Sequence, residues 1–196
     1  IKAALGPPFL LPQNRYTCVQ GSECRDANGK EAGVKQVLLI IDMLNDFVRP
    51  GAALEVPKTR LILAELQARL NKARADGVPV VFVCDAHAPD DREFERMGWP
   101  PHAVRGSEGA RVVTELSPRP GEAVVEKTTY SGFYQTELQS VLAGMGAQEL
   151  VLTGCVTNIC IFYTAADAVM RGYQVRVPRQ LVADIEAADG RFALEQ

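Results

Sequence analysis

Hydrophobic and polar positions alternate along the chain in blocks that predict strands followed by helices. An unbroken apolar run over residues 36–42 ends in the carboxylate of Asp42, which is typical of a buried parallel strand. Apolar residues at helical spacing then predict a helix over residues 58–76. A second apolar run over residues 79–83 predicts the next strand, so the chain begins a strand–helix–strand unit here.

The rest of the chain continues this alternation. Strands that alternate with helices form units around a mostly parallel sheet, and right-handed crossovers place helices on both of its faces. We therefore predict an α/β fold, a three-layer Rossmann-like sandwich. The remaining predicted elements are strands over residues 123–127, 149–153 and 174–178 and helices over residues 136–145, 158–171 and 185–196.

Residues 1–34 lack this pattern and carry Pro, Gly, Asn and scattered charge. We predict an N-terminal extension of unknown role there, followed by one domain over residues 35–196. The chain has five cysteines, an odd number that does not suggest a disulfide framework. Cys18 and Cys24 in the extension are therefore expected to be free thiols.

Composition and charge exclude several classes of protein. The net charge of the 196-residue chain is -3, and no cluster of Lys and Arg indicates nucleic-acid binding. No apolar run approaches the roughly 20 residues of a membrane span. Prolines and the lack of a cleavage site argue against a secretory signal near the N-terminus. We expect a cytoplasmic protein that binds neither nucleic acid nor membrane.

Reactive side chains stand at the ends of four predicted strands. In an open parallel sheet, functional sites form beyond the carboxyl ends of the strands. Reactive side chains at four separate strand ends indicate a functional site more strongly than any single residue does. The positions are Asp42, Asp85 with His87, Lys127, and the segment over residues 154–160.

Cys160 is the candidate nucleophile. Its predicted place in the first turn of a helix would lower the thiol pKa and offer backbone N–H groups to an oxyanion. Taken alone, Cys160 is equally typical of a buried structural thiol, which is how we interpret Cys84 and Cys155. Asp42 can act as its general base, and Lys127 can stabilise a thiolate. The alternatives are a turn residue for Asp42 and a surface salt bridge for Lys127.

A second constellation combines Asp85 and His87 with Asp91. Divalent metals of the zinc kind accept such mixtures of imidazole and carboxylate, so this is a candidate metal site. The alternative is a solvated acidic loop that contains a structural histidine. We interpret His102, which follows Trp99, as structural or as part of a pocket wall.

Five short motifs and a Glu-Lys pair, in order, resemble the isochorismatase-like cysteine hydrolase family, and within it the nicotinamidase-related amidases. The resemblance begins at residue 37 and runs to the C-terminus. The segments are IIDMLNDF over residues 40–47, CDAHAPDD over 84–91, WPPHAVRG over 99–106, EK over 126–127, GCVTNIC over 154–160 and TAADA over 164–168.

The resemblance implies roles for individual residues. It implies a catalytic triad of Asp42, Lys127 and Cys160, and a cis peptide bond before Val156. The N–H groups of Val156 and Cys160 would form the oxyanion hole. Phe47 matches a pocket aromatic of the family, and Trp99 is a plausible second wall. The family is usually oligomeric, so a homo-oligomer is expected.

The resemblance also identifies a departure. Nicotinamidases carry Asp-x-His followed shortly by a second histidine, and here Asp91 stands at that place. The covalent reaction of Cys160 needs no cofactor. A divalent metal at Asp85, His87 and Asp91 is an additional expectation that the reaction itself does not require.

The activity that the resemblance implies is a cysteine-dependent amidohydrolase that cleaves the C–N bond of a small amide through a thioester. Three alternatives remain open at this point. They are hydrolysis of a vinyl ether of the isochorismatase type, a non-catalytic binding role, and redox sensing by an activated thiol at Cys160. Relatives that cleave the vinyl ether lack the nucleophilic cysteine, so Cys160 argues against that reaction.

Overall fold

The computed structural model describes residues 34–196, so Cys18, Cys24 and all but the last residue of the predicted extension lie outside it. Within this part of the chain, six strands, β1 to β6, lie at Gln36–Ile41, Val80–Asp85, Ala123–Lys127, Glu149–Cys155, Gln174–Arg176 and Val182–Ala183. Helices α1 to α6 of the same part lie at Asn45–Val48, Thr59–Ala75, Arg92–Met97, Leu138–Met145, Phe162–Met170 and Ala187–Glu195. Short 3-10 turns lie at Thr114–Leu116 and Arg179–Leu181, and a π-helical turn at Thr157–Ile161.

The strands form a parallel sheet in the order β3-β2-β1-β4-β5, with β6 paired to the end of β4. The register aligns the carboxyl ends of the central strands. Ile41 at the end of β1 pairs with Val83 of β2 and with Gly154 of β4. Asp85 at the end of β2 pairs with Lys127 at the end of β3. Side chains that follow these strands therefore emerge at one edge of the sheet.

Helices cover both faces of the sheet. Leu38 and Ile40 of β1 pack in one hydrophobic cluster with residues of α2. Leu39 and Ile41 point the other way and pack in a second cluster with residues of α4 and α5. All four side chains are fully buried, which explains why β1 is a continuous apolar run instead of an alternating one. The predicted three-layer α/β sandwich is confirmed.

Several strands end one or two residues away from the prediction, including β4, which continues to Cys155. Strand β2 extends to Asp85, so this carboxylate belongs to the sheet and not to the loop after it. Strand β5 ends at Arg176, short of the predicted residue 178. Pro178 has no backbone N–H to donate to a ladder, which favours an early end to the strand.

The predicted helix over residues 158–171 begins differently from the expectation. Its first turn is the π-helical turn, in which the N–H of Ile161 donates to the carbonyl of Val156 at 3.2 Å, five residues back. Cys160 lies inside this wider turn and not in the first turn of an α-helix. Single π turns are rare and occur frequently at functional sites.

Helix α3 lies between β2 and β3, where we predicted no helix or strand. The carboxylate of Asp91 accepts a hydrogen bond from the N–H of Glu93 at 2.9 Å and caps the helix. Gly98, with φ of 66°, ends it after six residues. So short a helix shows no sustained period in the sequence, and α1 and β6 were missed for the same reason. Within residues 34–196, no helix combines the length and apolar character needed to cross a bilayer.

Gly154 gives a test of the sheet geometry. Its φ is +110°, and a Cβ atom there would lie 2.0 Å from the carbonyl oxygen of Ile41. The substitution Gly154→Ala adds backbone strain to a clash with a fixed strand, so we expect the free energy of unfolding to fall by roughly 3 kcal/mol or more. Urea denaturation followed by circular dichroism measures this change.

The matched control is Gly144→Ala in α4, where an added Cβ meets no atom within 4 Å. This variant should be unchanged or gain up to about 1 kcal/mol, since Ala favours a helix. Equal free energies of unfolding for the two variants would contradict the close approach of β1 and β4.

Candidate active site

Asp42 stands immediately beyond β1 and is held by both neighbouring strands. Its N–H donates to the carbonyl of Val83 at 2.9 Å, and its Oδ1 accepts the N–H of Asp85 at 2.8 Å. The thiol of Cys155 donates to the carbonyl oxygen of Asp42 at 3.1 Å. The backbone of Asp42 has φ of 54°, an uncommon conformation for a residue other than glycine. These contacts direct its carboxylate to the carboxyl edge of the sheet.

Lys127 lies at the centre of the site with its ammonium group fully buried. Its Nζ forms ion pairs with Asp42 Oδ2 at 2.8 Å and with Asp85 Oδ1 at hydrogen-bond distance. It also donates to Cys160 Sγ at 3.4 Å. The structure thus brings Asp42, Lys127 and Cys160 together and adds Asp85 as a second carboxylate on the lysine. Sequence reasoning placed Asp85 only with the metal, because strand register cannot be derived from the apolar pattern.

One oxygen of Asp42 is available for proton transfer. Its Oδ1 already accepts the N–H of Asp85, whereas within residues 34–196 Oδ2 accepts no backbone N–H and contacts the ammonium group of Lys127, at 2.8 Å. Cys160 is close by, because ligand atoms of Asp42, Asp85 and Cys160 lie within 4.8 Å of one another. Oδ2 is therefore the oxygen that can accept a proton from the thiol.

Burial sets the protonation states of the three groups. Burial, together with the nearby charge of Asp85, raises the pKa of Asp42 to about 6. Burial alone would lower the pKa of Lys127, but Asp42 and Asp85 outweigh it and raise that pKa, so the lysine stays charged. Burial raises the pKa of Cys160 well above its ordinary value in spite of Lys127. This direction is opposite to the one expected for a thiol at a helix start, and it favours a neutral thiol beside Asp42.

The predicted oxyanion hole lies at the turn between β4 and α5. The peptide bond from Cys155 to Val156 is cis. The N–H of Val156 has no backbone acceptor within residues 34–196. Val156 and Cys160 both line the cavity that opens above the triad. A carbonyl oxygen bound there would meet these backbone groups beside the thiol.

The cavity has mostly apolar walls. Phe47 and Trp99, the two predicted wall residues, both line it, together with Asp42 and Cys160. The other lining residues come from the ends of β2 and β4, from loops, from the π-helical turn and from α3. Four of them, Asp85, His87, His102 and Val156, were site candidates in the sequence, with His102 as a possible wall. The residues that carried no signal of a site are Leu54, Val56, Glu93, Thr129, Tyr130, Cys155, Ile159 and Ile185.

The metal-ligating groups form two possible clusters that share His87, one with Asp85 and His102 and the other with Asp91 and Glu93, so the predicted ligands Asp85 and Asp91 fall into different clusters. Ligand atoms of Asp85, His87 and His102 lie within 4.8 Å of one another. Asp91 is on the other side of the His87 ring, where its Oδ2 lies 3.0 Å from Nδ1, while Nε2 faces Asp85 at 3.8 Å. Asp91 is thus placed to orient His87, and His102 is placed as the third ligand. No spacing rule pointed to His102, which lies far along the chain from His87.

The tautomers of both histidines suit a metal. The carbonyl of Pro100 only accepts, so His102 Nδ1 at 2.9 Å must carry a proton and Nε2 is left with its lone pair. The carboxylate of Asp91 orients His87 in the same way. Burial lowers the pKa of His87, but Asp85 and Asp91 outweigh it and raise that pKa to about 9. The carboxylate of Asp85 and the two imidazoles would supply three ligands to a divalent ion such as zinc and would leave its fourth coordination position open.

Comparisons with known proteins agree with this geometry. Residues 36–196 match the Isochorismatase domain family. Nicotinamidase PncA from Bacillus subtilis is 32% identical to this chain. The match covers 83% of this chain and 93% of the PncA chain, with a TM-score of 0.77. Pyrazinamidase of Pyrococcus horikoshii in complex with zinc is 31% identical over 82% of this chain and 93% of its own, with a TM-score of 0.77.

An amidase of different specificity is equally similar. N-carbamoylsarcosine amidase from Thermoplasma acidophilum is 34% identical, covers 83% of this chain and 92% of its own, and has a TM-score of 0.75. The chain therefore belongs to the isochorismatase family and is a hydrolase.

The buried lysine gives a stability test that is independent of activity. Replacing Lys127 with Met keeps the volume but leaves two buried carboxylates without their cation. We expect the free energy of unfolding to fall by about 3–5 kcal/mol, measured by urea denaturation at neutral pH.

Lys72→Met is the matched control, because Lys72 pairs with Asp76 at 2.9 Å on the surface with side chains 69% and 46% exposed. Its effect should stay below about 1 kcal/mol. A Lys127→Met variant that is as stable as this control would show that the lysine does not hold the two carboxylates.

Proposed function

We propose that the protein is a cysteine-dependent amidohydrolase, nicotinamidase-like, that cleaves the C–N bond of a small amide through a thioester. The observation that supports this most directly is the buried contact of Lys127 with Asp42 and Cys160 at the cavity wall. Relatives whose names describe amidases of nicotinamide, pyrazinamide and N-carbamoylsarcosine support an amide as the substrate. Assembly into a homo-oligomer and a cytoplasmic location stay predictions.

The first half of the reaction forms the thioester. The thiol proton of Cys160 passes to Asp42 Oδ2 as Sγ attacks the amide carbonyl, so charge never has to rest on the sulfur. The N–H groups of Val156 and Cys160 stabilise the oxyanion, where each donor is typically worth about 100- to 1,000-fold in rate. The tetrahedral intermediate then expels the nitrogen, which takes the proton from Asp42 and leaves as ammonia or an amine.

The second half releases the acid. Asp42, again a carboxylate, takes a proton from a water molecule as this water attacks the thioester carbonyl. The C–S bond breaks and the proton returns to the sulfur, which restores the thiol. A pKa of about 6 suits Asp42 to both directions of transfer, because the ideal catalytic pKa lies near the working pH. Lys127 stays charged throughout and compensates the negative charge that develops nearby.

Asp85, His87 and His102 would hold a divalent metal at the side of the same cavity. When bound, such an ion supplies positive charge that orients a polar group of the substrate. Asp91 keeps His87 in the binding tautomer, and the carbonyl of Pro100 does the same for His102.

The nucleophile is tested by ammonia release. The panel contains nicotinamide, pyrazinamide, simple ureides and N-carbamoyl amino acids, each with and without added zinc. We expect the wild type to release ammonia from at least one amide, and Cys160→Ala to lose at least about 10,000-fold in kcat/KM, because no thioester can form.

Cys84→Ala serves as the control, since Cys84 is an equally buried thiol in β2 outside the triad. It should retain activity, and circular dichroism should show all three proteins folded. A Cys160→Ala variant as active as the wild type would exclude the thioester. No release from any amide by the folded wild type would count against the amidohydrolase itself.

The metal site is tested by equilibrium dialysis against zinc followed by elemental analysis. We expect His102→Ala to lose at least about 100-fold in affinity because it removes a ligand, and Asp91→Ala to lose about 10- to 100-fold because it frees the ring of His87. Asp90→Asn, an exposed neighbour of Asp91, should bind as the wild type does. Unchanged affinity in His102→Ala would contradict the ligand set.

A further inference from the structure

Asp46 is a charged residue close to the site that the proposed reaction does not use. It lies in the four-residue helix α1, which begins without a side-chain cap. Its Oδ2 accepts the N–H of Ala103 at 2.8 Å, across a separation of 57 residues. Ala103 directly follows His102, the third residue of the candidate metal cluster. The carboxylate of Asp46 is thus bound to the backbone next to a metal-ligating side chain.

Both polar backbone groups of Ala103 are held by neighbours. Its N–H donates to Asp46, and its carbonyl accepts the N–H of His87 at 3.0 Å. The backbone of Ala103 has φ of 45°, and a residue with a side chain keeps this conformation only where its surroundings hold it. Asp46 and His87 supply this hold. The same two hydrogen bonds link the backbone of His102 to that of His87, so they fix the two candidate histidine ligands relative to each other.

The position of His102 depends on individual contacts. Between α3 and β3, the structure describes one short 3-10 turn and no strand that could anchor this residue. The imidazole packs among aromatic rings, and the ring centroids of Phe94 and Phe47 lie 5.2 and 5.6 Å from its own. Such packing has little directional preference, whereas a metal ligand has to be placed to within about 0.2 Å. The hydrogen bond from Ala103 to Asp46 is better suited to set that position, because it is directional.

Gly109 leaves room for the carboxylate of Asp46. A Cβ atom at Gly109 would overlap both carboxylate oxygens, and the φ of this glycine lies outside the left-handed region. The carbonyl of Gly109 also accepts the N–H of Asp46 at 3.0 Å. Close approach to the carboxylate, and not a special backbone conformation, therefore accounts for a glycine here.

We propose that Asp46 is a positioning residue that holds His102 in place at the metal site through the backbone of Ala103. Asp46 itself belongs neither to the cavity wall nor to a cluster of candidate ligands. This inference rests on the metal site that forms part of the proposed function.

The test measures zinc affinity by equilibrium dialysis. Asp46→Ala removes the acceptor, whereas Asp46→Asn keeps an oxygen that can accept the same N–H. Glu108→Ala is the matched control, because Glu108 contacts Asn45 of α1 at 3.3 Å but its side chain is 75% exposed. We expect Asp46→Ala to lose about 10- to 100-fold in affinity, as the loss of a group behind a ligand typically does. Asp46→Asn and Glu108→Ala should stay within about 3-fold of the wild type.

A double-mutant comparison separates positioning from a general loss of structure. If Asp46 acts through His102, adding Asp46→Ala to His102→Ala should change zinc affinity less than about 3-fold. An equal loss with and without His102 would overturn the proposal. Wild-type affinity in Asp46→Ala, or an equal loss in Asp46→Asn and Asp46→Ala, would overturn it as well.

A failure of the metal site itself is distinguishable by a measurement without metal. The chain has only two histidines, so ¹⁵N NMR of the imidazoles resolves His102, and the His102→Ala spectrum assigns it. At alkaline pH, the wild type and Asp46→Asn should show the Nδ1-protonated tautomer that the carbonyl of Pro100 fixes. Asp46→Ala should show a mixture of tautomers. If the wild type binds no zinc, this difference supports the positioning role while the ligand set fails, and identical spectra of Asp46→Ala and the wild type overturn it.

Discussion

The site depends on one buried ammonium group placed between two buried carboxylates. Lys127, Asp42 and Asp85 would each be too costly to bury alone, because an isolated charge loses its hydration in a medium of low polarity. Their mutual contacts make the burial tolerable, and the contacts exist only because β1, β2 and β3 are adjacent, parallel and in the observed register. The sheet topology is thus a condition of the chemistry.

In the proposed reaction, this charge arrangement lets a neutral thiol serve as the nucleophile. Two carboxylates share one ammonium group, so the pKa of Asp42 is raised to about 6 while that of Asp85 is lowered. Asp42 would then act as a base and as an acid near neutral pH. The raised pKa of Cys160 fits a proton that leaves the sulfur as it attacks the substrate. An enzyme built this way exposes little thiolate to oxidants between turnovers.

The sequence allowed us to predict the sheet, the meeting of Asp42, Lys127 and Cys160, and two wall residues, Phe47 and Trp99, but not most of the cavity wall. Strands such as β1 are buried on both faces, so their apolar runs are visible, and Asp42 and Lys127 stand out at their ends. His102 and Glu93 carry no comparable signal, because loops and a six-residue helix bring them to the site. The π-helical turn at Cys160 could not be predicted either. Its hydrogen bond joins residues five apart instead of the four of an α-helix, and the sequence pattern does not show this difference.

The strand order has a consequence for how the chain becomes active. The central neighbours β1 and β4 are far apart in sequence, and the contact between Asp42 and Cys155 spans 113 residues. Contacts of such long range form late, after the entropy of closing the intervening loop has been overcome. During synthesis, Asp42 emerges long before Cys160, and a chain that ends before residue 160 contains the carboxylate without the thiol. The reactive centre therefore forms only after β4 and the turn that follows it have paired with β1, and an unfolded chain carries only an ordinary cysteine.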